Sequence, residues 1–509
     1  MAVGSGPPRL PGALVALLMA GLCLGTLIPL LLRTGEGGLV GADWAALRFT
    51  LVQAALSAGL SVGLGVPVAR ALARRRFPGR SALVTLLGAP FVLPVIVAVL
   101  GLLALFGRSG LVNEALGLIG GPRMSVYGLH GVVLAHVFLN LPLATRLILQ
   151  GWLDIPAERF RLAATLGAPI WPLLEWPMLR RILPGAFAAI FALCLTSFSV
   201  ALILGGGPRA TTVELAIYQA IRFEADFAGA AQLALLQYAI CGVAAGFALW
   251  LSPPALGGGG LGRSVERWDA AGAGARVMDA AWIGGAALFL LLPLGLAVLR
   301  GVGGLSDLPV ETMGAALRSV MVAVSASVLT VGAALALALR AGTLAQLAGA
   351  LPLAASSLVL GTGLLLVLRS VVGLSAVALP VTALVDAVAS LPFALRALAP
   401  AVAEIEARHG RLADSLGLVG ARRLRVVILP LARPALGFAG GLAAALSMGN
   451  LGVIALFAGP GQETLPLLMA QLMGAYRMEA AAATGLLILA LALLLFWIFD
   501  RGGRIDASS

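Results

Sequence analysis

Apolar residues run through this chain in long blocks, separated by shorter stretches rich in arginine, glycine and proline. A helix rises about 1.5 Å per residue, so about 20 apolar residues cross about 30 Å of hydrocarbon. Blocks of that length fall near 11–33, 47–70, 81–107, 126–150, 184–205 and 228–252. A second set follows near 278–300, 312–340, 345–369, 374–398, 431–457 and 480–499. The pattern predicts an all-α polytopic membrane protein with about 12 transmembrane helices. The first block exceeds the about 7–15 apolar residues of a signal-peptide core and is expected to be a retained span. Between the two sets lies a Pro- and Gly-rich stretch with four consecutive glycines from Gly257. It predicts a linker at 253–277 between a first unit, 1–252, and a second, 278–509.

Composition narrows the chemistry. Of 509 residues, 60% are apolar and 11% charged, leaving no room for a sizeable soluble enzyme domain. All 34 basic residues are arginine. Without lysine the chain can build neither a G-x-x-x-x-G-K-[ST] phosphate loop nor a Schiff base. Any ATP and magnesium would therefore be bound by another chain, and no cofactor is expected in this one. Cys23, Cys194 and Cys241 lie far apart in apolar runs, fitting neither a disulfide framework nor metal-ligand spacing. The net charge of +12 would suit nucleic acid in a soluble protein. In a membrane protein, arginines on the cytoplasmic side give the same excess, so no nucleic-acid partner is expected. With both termini placed in the cytoplasm, 24 arginines fall on that side and ten on the other. The run Arg74-Arg75-Arg76 with Arg80 then acts as a topogenic signal. Glycines four apart, at Gly59/Gly63, Gly242/Gly246 and Gly437/Gly441, suggest close helix contacts in the lipid bilayer.

The chain also repeats itself. Leu141-Pro142 returns as Leu391-Pro392, Arg146 as Arg396, Arg161-Leu162-Ala163 as Arg411-Leu412-Ala413 and Gly167 as Gly417. Later, Gly207-Pro208, Thr212 and Gln219 return as Gly459-Pro460, Thr464 and Gln471. An even number of spans separates the copies, which makes them parallel repeats about an axis along the membrane normal. Two charged loops, about 151–183 and 400–430, carry helix-compatible stretches AERFRLAATLG (157–167) and EARHGRLADSLG (406–417). In the first, Phe160, Ala163, Ala164 and Leu166 are expected to share a side opposite Glu158, Arg159 and Arg161. Each stretch ends in a glycine suited to a helix C-terminus. Such a helix fits a groove on a partner protein, or alternatively the surface of lipid headgroups.

The stretch ending in Gly417, followed by Val427 and Leu429-Pro430, resembles the E-A-A…G…I-x-L-P coupling motif of ABC importer permeases. The strings RRRFPGR (74–80), YGLHGVVLAHVFLNLPLATRLILQ (127–150) and LGGGPRATTVELAIYQA (204–220) resemble the fused two-domain permeases of thiamine ABC transporters. The similarity covers nearly the whole chain. It implies two parallel six-helix repeats of the type I importer fold in the bacterial inner membrane. Two copies of an ATPase subunit would dock on the loops, and a periplasmic thiamine-binding protein would deliver substrate. Glu158, Arg161, Ala163, Ala164, Gly167, Arg411, Ala413, Gly417, Leu429 and Pro430 would form the coupling set. Arginine stands at the motif's glutamate in both halves (Arg161, Arg411), and Glu158 or Glu406 is a conceivable substitute. The first loop is also about one turn shorter, with Pro177 only ten residues after Gly167.

Polar groups inside spans are costly in lipid and carry a functional expectation. His136 and Asp386 occupy matching positions, each five residues before the leucine of the repeated Leu-Pro. Near-twofold symmetry would set them on opposite walls of one pathway, where Asp386 would attract the thiazolium cation of thiamine. An interhelical hydrogen bond or ion pair of structural value is the alternative. Asn140 and Ser390 match one turn on, and Asn450 is a further candidate. On the outer side, Arg209, Thr211, Thr212 and Glu463 lie in glycine-rich loops placed to meet the binding protein, or simply to form turns. Trp152, Trp171 and Trp176 suit interfacial anchoring. Two other substrates or mechanisms fit a six-plus-six layout: a ferric iron importer, and a proton-coupled carrier using Asp386 or His136. The two long loops argue against the carrier.

Overall fold

The computed structural model describes residues 10–34, 38–87, 93–207, 210–251, 267–340 and 342–504, and their regular structure is entirely helical. The first part comprises α1 (Leu10–Gly25), α2 (Leu27–Arg33), α3 (Gly41–Arg74), α4 (Arg80–Leu86), α5 (Val95–Phe106), α6 (Leu111–Leu118), α7 (Leu129–Leu153) and α8 (Ala157–Thr165). A π-helical turn, Trp171–Glu175, leads into α9 (Trp176–Leu195), followed by α10 (Phe198–Leu204), α11 (Val213–Arg222) and α12 (Phe227–Leu251). The second part runs α13 (Ala273–Gly303), α14 (Thr312–Arg340), α15 (Thr343–Ala354), α16 (Ser357–Leu368), α17 (Leu374–Ser415) and α18 (Gly420–Arg423). A second π turn, Leu424–Ile428, precedes α19 (Leu429–Met448), α20 (Gly452–Phe457), α21 (Leu465–Gly474) and α22 (Met478–Arg504). Among the described residues eleven helical segments are long and apolar enough to cross a bilayer, or twelve when the α15–α16 pair, bent by 85°, is counted as one broken span.

Helix ends depart from the apolar blocks in one consistent way. The tenth block predicts a helix to 398, but α17 continues to Ser415. The fifth and eleventh predict starts at 184 and 431, whereas helix begins at Trp171 and Gly420. Hydropathy marks the thickness of the lipid, not the end of hydrogen bonding. Charged helix beyond the bilayer keeps its i→i−4 bonds in water. The predicted loops are consequently mostly helix.

The element order recurs in detail. Each π turn stands directly before the pair Trp176-Pro177 or Leu429-Pro430. A proline at that point donates no N–H and crowds the preceding turn, and the chain answers by widening. Trp176 N–H bonds Trp171 C=O and Leu429 N–H bonds Leu424 C=O, five residues back in each case. Likewise the Thr50 hydroxyl accepts from the Val213 N–H (2.9 Å), and the Ser319 hydroxyl accepts from Leu465 N–H (2.8 Å). Each bond pins the first turn of a short helix, α11 or α21, to a long span. The two parts are interlocked, since α1 packs on α14 and α15 while α13 packs on α3 and α5. At Gly101 of α5 a Cβ would lie 2.5 Å from the Pro293 carbonyl oxygen of α13, so this crossing requires glycine.

The glycine pairs behave unequally. Gly437 and Gly441 meet α22, with Phe499 and Phe496 carbonyls against their missing Cβ positions. Gly59, Gly63 and Gly246 face no atom within 4 Å, and Gly242 meets only Ala354 at 3.9 Å. In a chain with 65 glycines, spacing by itself does not select contacts.

Candidate functional site

The two charged segments present matching surfaces on different scaffolds. The first, α8, is cut from α7 by Pro156, whose backbone is extended (φ −58°, ψ 137°). At the matching position the second half has Glu406, and α17 runs unbroken through it to Ser415. Both then end in a Schellman turn. Ala168 N–H bonds Ala163 C=O across Gly167 (φ +59°), and Leu418 N–H bonds Ala413 C=O across Gly417 (φ +66°), both at 2.9 Å. The inward positions are Phe160 and Ala163 in one, Gly410 and Ala413 in the other. Ala164 and Leu166 do not join them, contrary to the expected grouping. The outward face carries Leu162 and Leu166, 60% and 70% exposed, and Leu412 and Leu416, 58% and 64% exposed. An i,i+4 leucine pair is thus displayed twice, beside Arg161 and Arg411. Glu158 is exposed on α8. From Gly167 to the π turn is three residues shorter than from Gly417, the difference being taken up by α18.

What supports each surface differs more sharply. Glu175, fully buried in the first π turn, accepts from Arg70 (2.8 Å), Arg267 (2.5 Å) and the Trp152 indole (3.1 Å). Arg267 belongs to the linker side of α13. Its guanidinium lies 5.0 Å from the Phe160 ring centre, beneath α8, and also pairs with Asp269 (2.6 Å). Burial lowers the tendency of Arg267 to hold its proton, but Asp269 and Glu175 outweigh it and the net direction is up. Burial likewise pushes Asp269 upward, and Arg267 overrides this to hold its carboxyl below the usual range. Next to this cluster, Asp279 of α13 pairs with Arg74 (2.5 Å) and Arg75 (2.6 Å). The arginine run expected to be purely topogenic is therefore also an interhelical clamp. Trp152 is buried rather than interfacial, whereas Trp171 and Trp176 are exposed and stacked 6.5 Å apart. In the second half Arg423 of α18 pairs with Glu406 and, at 2.6 Å, with Asp414, all within one local stretch.

Deeper in the bundle, Asp386 is buried and accepts from Ser447 Oγ and Asn450 Nδ2, both at 2.5 Å. These donors flank the break between α19 and α20, so Asn450 and Asp386, singled out separately, meet. Ser390 is buried one turn along α17. In the first half, His136 Nδ1 faces Ser57 Oγ at 3.5 Å and its Nε2 has no partner among the described residues. Asn140 donates to the His136 carbonyl (2.9 Å) and lies 3.5 Å from Cys194 Sγ. His136 and Asp386 thus each bond within their own half.

Sequence reasoning passed over Glu214, on the short helix between the fifth and sixth spans. It is 1% exposed and accepts a hydrogen bond from Gln237 of α12 (3.4 Å). The apolar-block pattern put it in an outer loop. Two residues from it, Thr212 caps α11 by accepting from Leu215 N–H (3.3 Å), and Thr211 bonds the Gly207 carbonyl (3.4 Å). Both threonines are buried and serve the fold, as in the turn alternative to a binding-protein contact. Arg209 lies outside the described residues. Glu463 accepts from the Gly461 N–H (3.2 Å), and its main-chain carbonyl accepts from Arg318 (2.8 Å).

Eleven to twelve helices able to cross a membrane among the described residues, interlocked repeats and polar groups buried between them fit a polytopic membrane permease. No protein-family model matches the chain. It is 39% identical over 515 residues to the thiamine transport system permease protein ThiP of Salmonella typhimurium, spanning 97% of this chain and 96% of that protein. It is 37% identical to ThiP of Brucella abortus, spanning 96% and 94%. To ThiP of Escherichia coli it is 39% identical, spanning 90% and 89%. The chain belongs to this family of ABC transporter permeases.

Proposed function

We propose that this chain forms the membrane pathway of an ATP-driven importer for thiamine, its phosphates, or both, in the bacterial inner membrane. The observation that carries this reading is end-to-end similarity to thiamine transport permeases, joined to two leucine pairs displayed at matching repeat positions. In this reading Leu162/Leu166 and Leu412/Leu416 seat two copies of a cytoplasmic ATPase subunit. Arg161, Ala164, Arg411 and the glycine turns frame those seats. Both termini lie on the ATPase side, and residues 1–252 and 278–509 are the two six-span units. A periplasmic binding protein delivers substrate to the opposite face, near the loops holding Arg209 and Glu463. ATP binding to the partner subunits would move the α8 and α17 ends together and bias the two units between inward- and outward-open states. The chain itself makes no bond.

Within the pathway, Asp386 is the residue assigned to the second unit. Its negative charge has only neutral donors around it, and the thiazolium ring carries a fixed positive charge. A cation stripped of water inside the membrane is stabilised by such a carboxylate. Radiolabelled thiamine uptake into vesicles containing this chain, its ATPase and its binding protein tests the reading. Uptake is expected to need ATP and the binding protein and to ignore a proton uncoupler. Uptake without ATP that the uncoupler abolishes would overturn it. Asp386→Asn is expected to lower uptake at least about tenfold, as loss of a buried charge contact does.

A further inference from the structure

Four carboxylates among the described residues are buried to below a tenth of their surface: Glu175, Glu214, Asp279 and Asp386. Glu175 and Asp279 face arginines at the charged end of the bundle. Glu214 and Asp386 have neutral partners only. Asp386 at least receives two short hydrogen bonds. Glu214 is worse served. Its bond from Gln237 is long, 3.4 Å, because the same Nε2 donates more closely to the Leu195 carbonyl at 2.8 Å. Its Oε2 has no hydrogen-bond partner among the described residues.

The repeat shows that the fold does not demand this carboxylate. The left-handed residues Ala225 and Tyr476 mark the same turn in the two halves, and the pinned amides of Val213 and Leu465 mark the same helix start. In that register Glu214 corresponds to Pro466 and Gln237 to Ile488, both buried. The second half therefore builds the same short helix and span with no ionisable group at either matched position. An uncompensated buried carboxylate costs several kcal/mol, so one that the architecture can replace by proline calls for another role.

Its location supplies the role. Glu214 lies on α11 of the first half, and α11 packs against α16 and α20 of the second, α16 starting at the 85° bend of that broken span. It thus sits on the seam between the two halves. Gly452, at the break between α19 and α20, approaches Ser357, so the two interrupted spans meet close to this point. Interrupted helices at a repeat interface are where membrane transporters place substrate contacts. We propose that Glu214 is a second anionic contact of the translocation pathway, exposed when the halves part and set to receive the fixed positive charge of an organic cation. Asp386 supplies the counterpart from the second half. This rests on the thiamine-import reading.

The test uses the full chain with its ATPase and binding protein in proteoliposomes, measuring radiolabelled thiamine moved per ATP hydrolysed. Glu214→Gln keeps length and hydrogen bonding but loses charge, whereas Glu214→Asp keeps charge and loses reach. The expected order is wild type, then Asp, then Gln, with Gln at least about tenfold below wild type. A purely structural side chain predicts the reverse, with Gln near wild type and Asp impaired, and that result overturns the proposal. If Gln fails to co-purify with the ATPase, Glu214→Ser replaces it. Should every neutral variant fail to assemble while Asp assembles, the carboxylate is structural and the proposal falls. A wild-type chain that moves no thiamine defeats the import reading itself, a result distinct from a wild-type-like Gln variant.

Discussion

The two charged segments offer one surface held up in two ways. In the first half, α8 is a separate helix, and its support is assembled from afar. Arg70 from the second span, Glu175 from the π turn and Arg267 from the linker converge beneath Phe160. In the second half the surface is the end of a 42-residue helix, steadied by Arg423 from nine and seventeen residues away. A surface braced by distant parts moves when those parts move. The first segment is therefore wired to the junction between the halves, and the second to its own span.

The largest expected effect comes from removing the centre of the distant brace. Glu175→Ala would strand Arg267, Arg70 and the Trp152 N–H in a buried site, at a cost of about 3–5 kcal/mol. Arg423→Ala leaves Glu406 and Asp414, whose side chains are 26% and 47% exposed, free to take up water, and should cost about 1 kcal/mol or less. Thermal unfolding in detergent, with limited tryptic cleavage after Arg159 and Arg408, checks both. Equal losses would show that the two supports do not differ. Below this comes the surface itself. Leu162→Asp and Leu412→Asp leave the fold intact and should each weaken capture of the ATPase subunit by about 2 kcal/mol, measured by co-purification and binding titration. Matched losses mean equivalent seats; a loss in only one would make the difference in bracing a difference in docking.

How much of this was legible depends on what each signal encodes. The spans are legible because lipid forces apolar length on any helix that crosses it. The positions of α8 and the end of α17 are legible through the repeat and the glycines at 167 and 417. Which face of α8 turns outward is not, since Phe160, Leu162, Ala163 and Leu166 give an apolar residue to nearly every side. Only packing against Arg267 decides it. Glu175 and Asp279 were hidden among arginines whose number already had an explanation. Glu214 was hidden because hydropathy marks spans, and a short helix folded back into the bundle is not one. Asn450 and Asp386 are 64 residues apart, and no local pattern joins them.

Acid gives a smaller effect confined to the first brace. The Asp269 carboxyl is held below its ordinary value of 3.8 by Arg267. A depressed carboxyl contributes stability above its unfolded value and loses it as pH falls through the folded one. Wild-type stability should therefore be flat on this account from pH 8 to 5 and decline below about pH 4. Asp269→Asn should flatten that part of the decline, and a wild-type curve superimposable on the variant's would remove Asp269 from the brace.

The smallest effect separates what breaks the helix from what holds the break. Pro156 stops α7 from running into α8, but Arg267 and Phe160 fix where α8 then lies. Pro156→Ala frees the unfolded chain and should cost about 1 kcal/mol or less. The angle between the helices should persist, because continuing straight would pull Phe160 off Arg267. Spin labels at Leu147 and Ala164, both on exposed positions, report that angle as a distance. The distance should be unchanged in Pro156→Ala and should lengthen and broaden only when Arg267→Ala is added. Lengthening in Pro156→Ala alone would assign the geometry to the proline, and the first segment would then be as locally determined as the second.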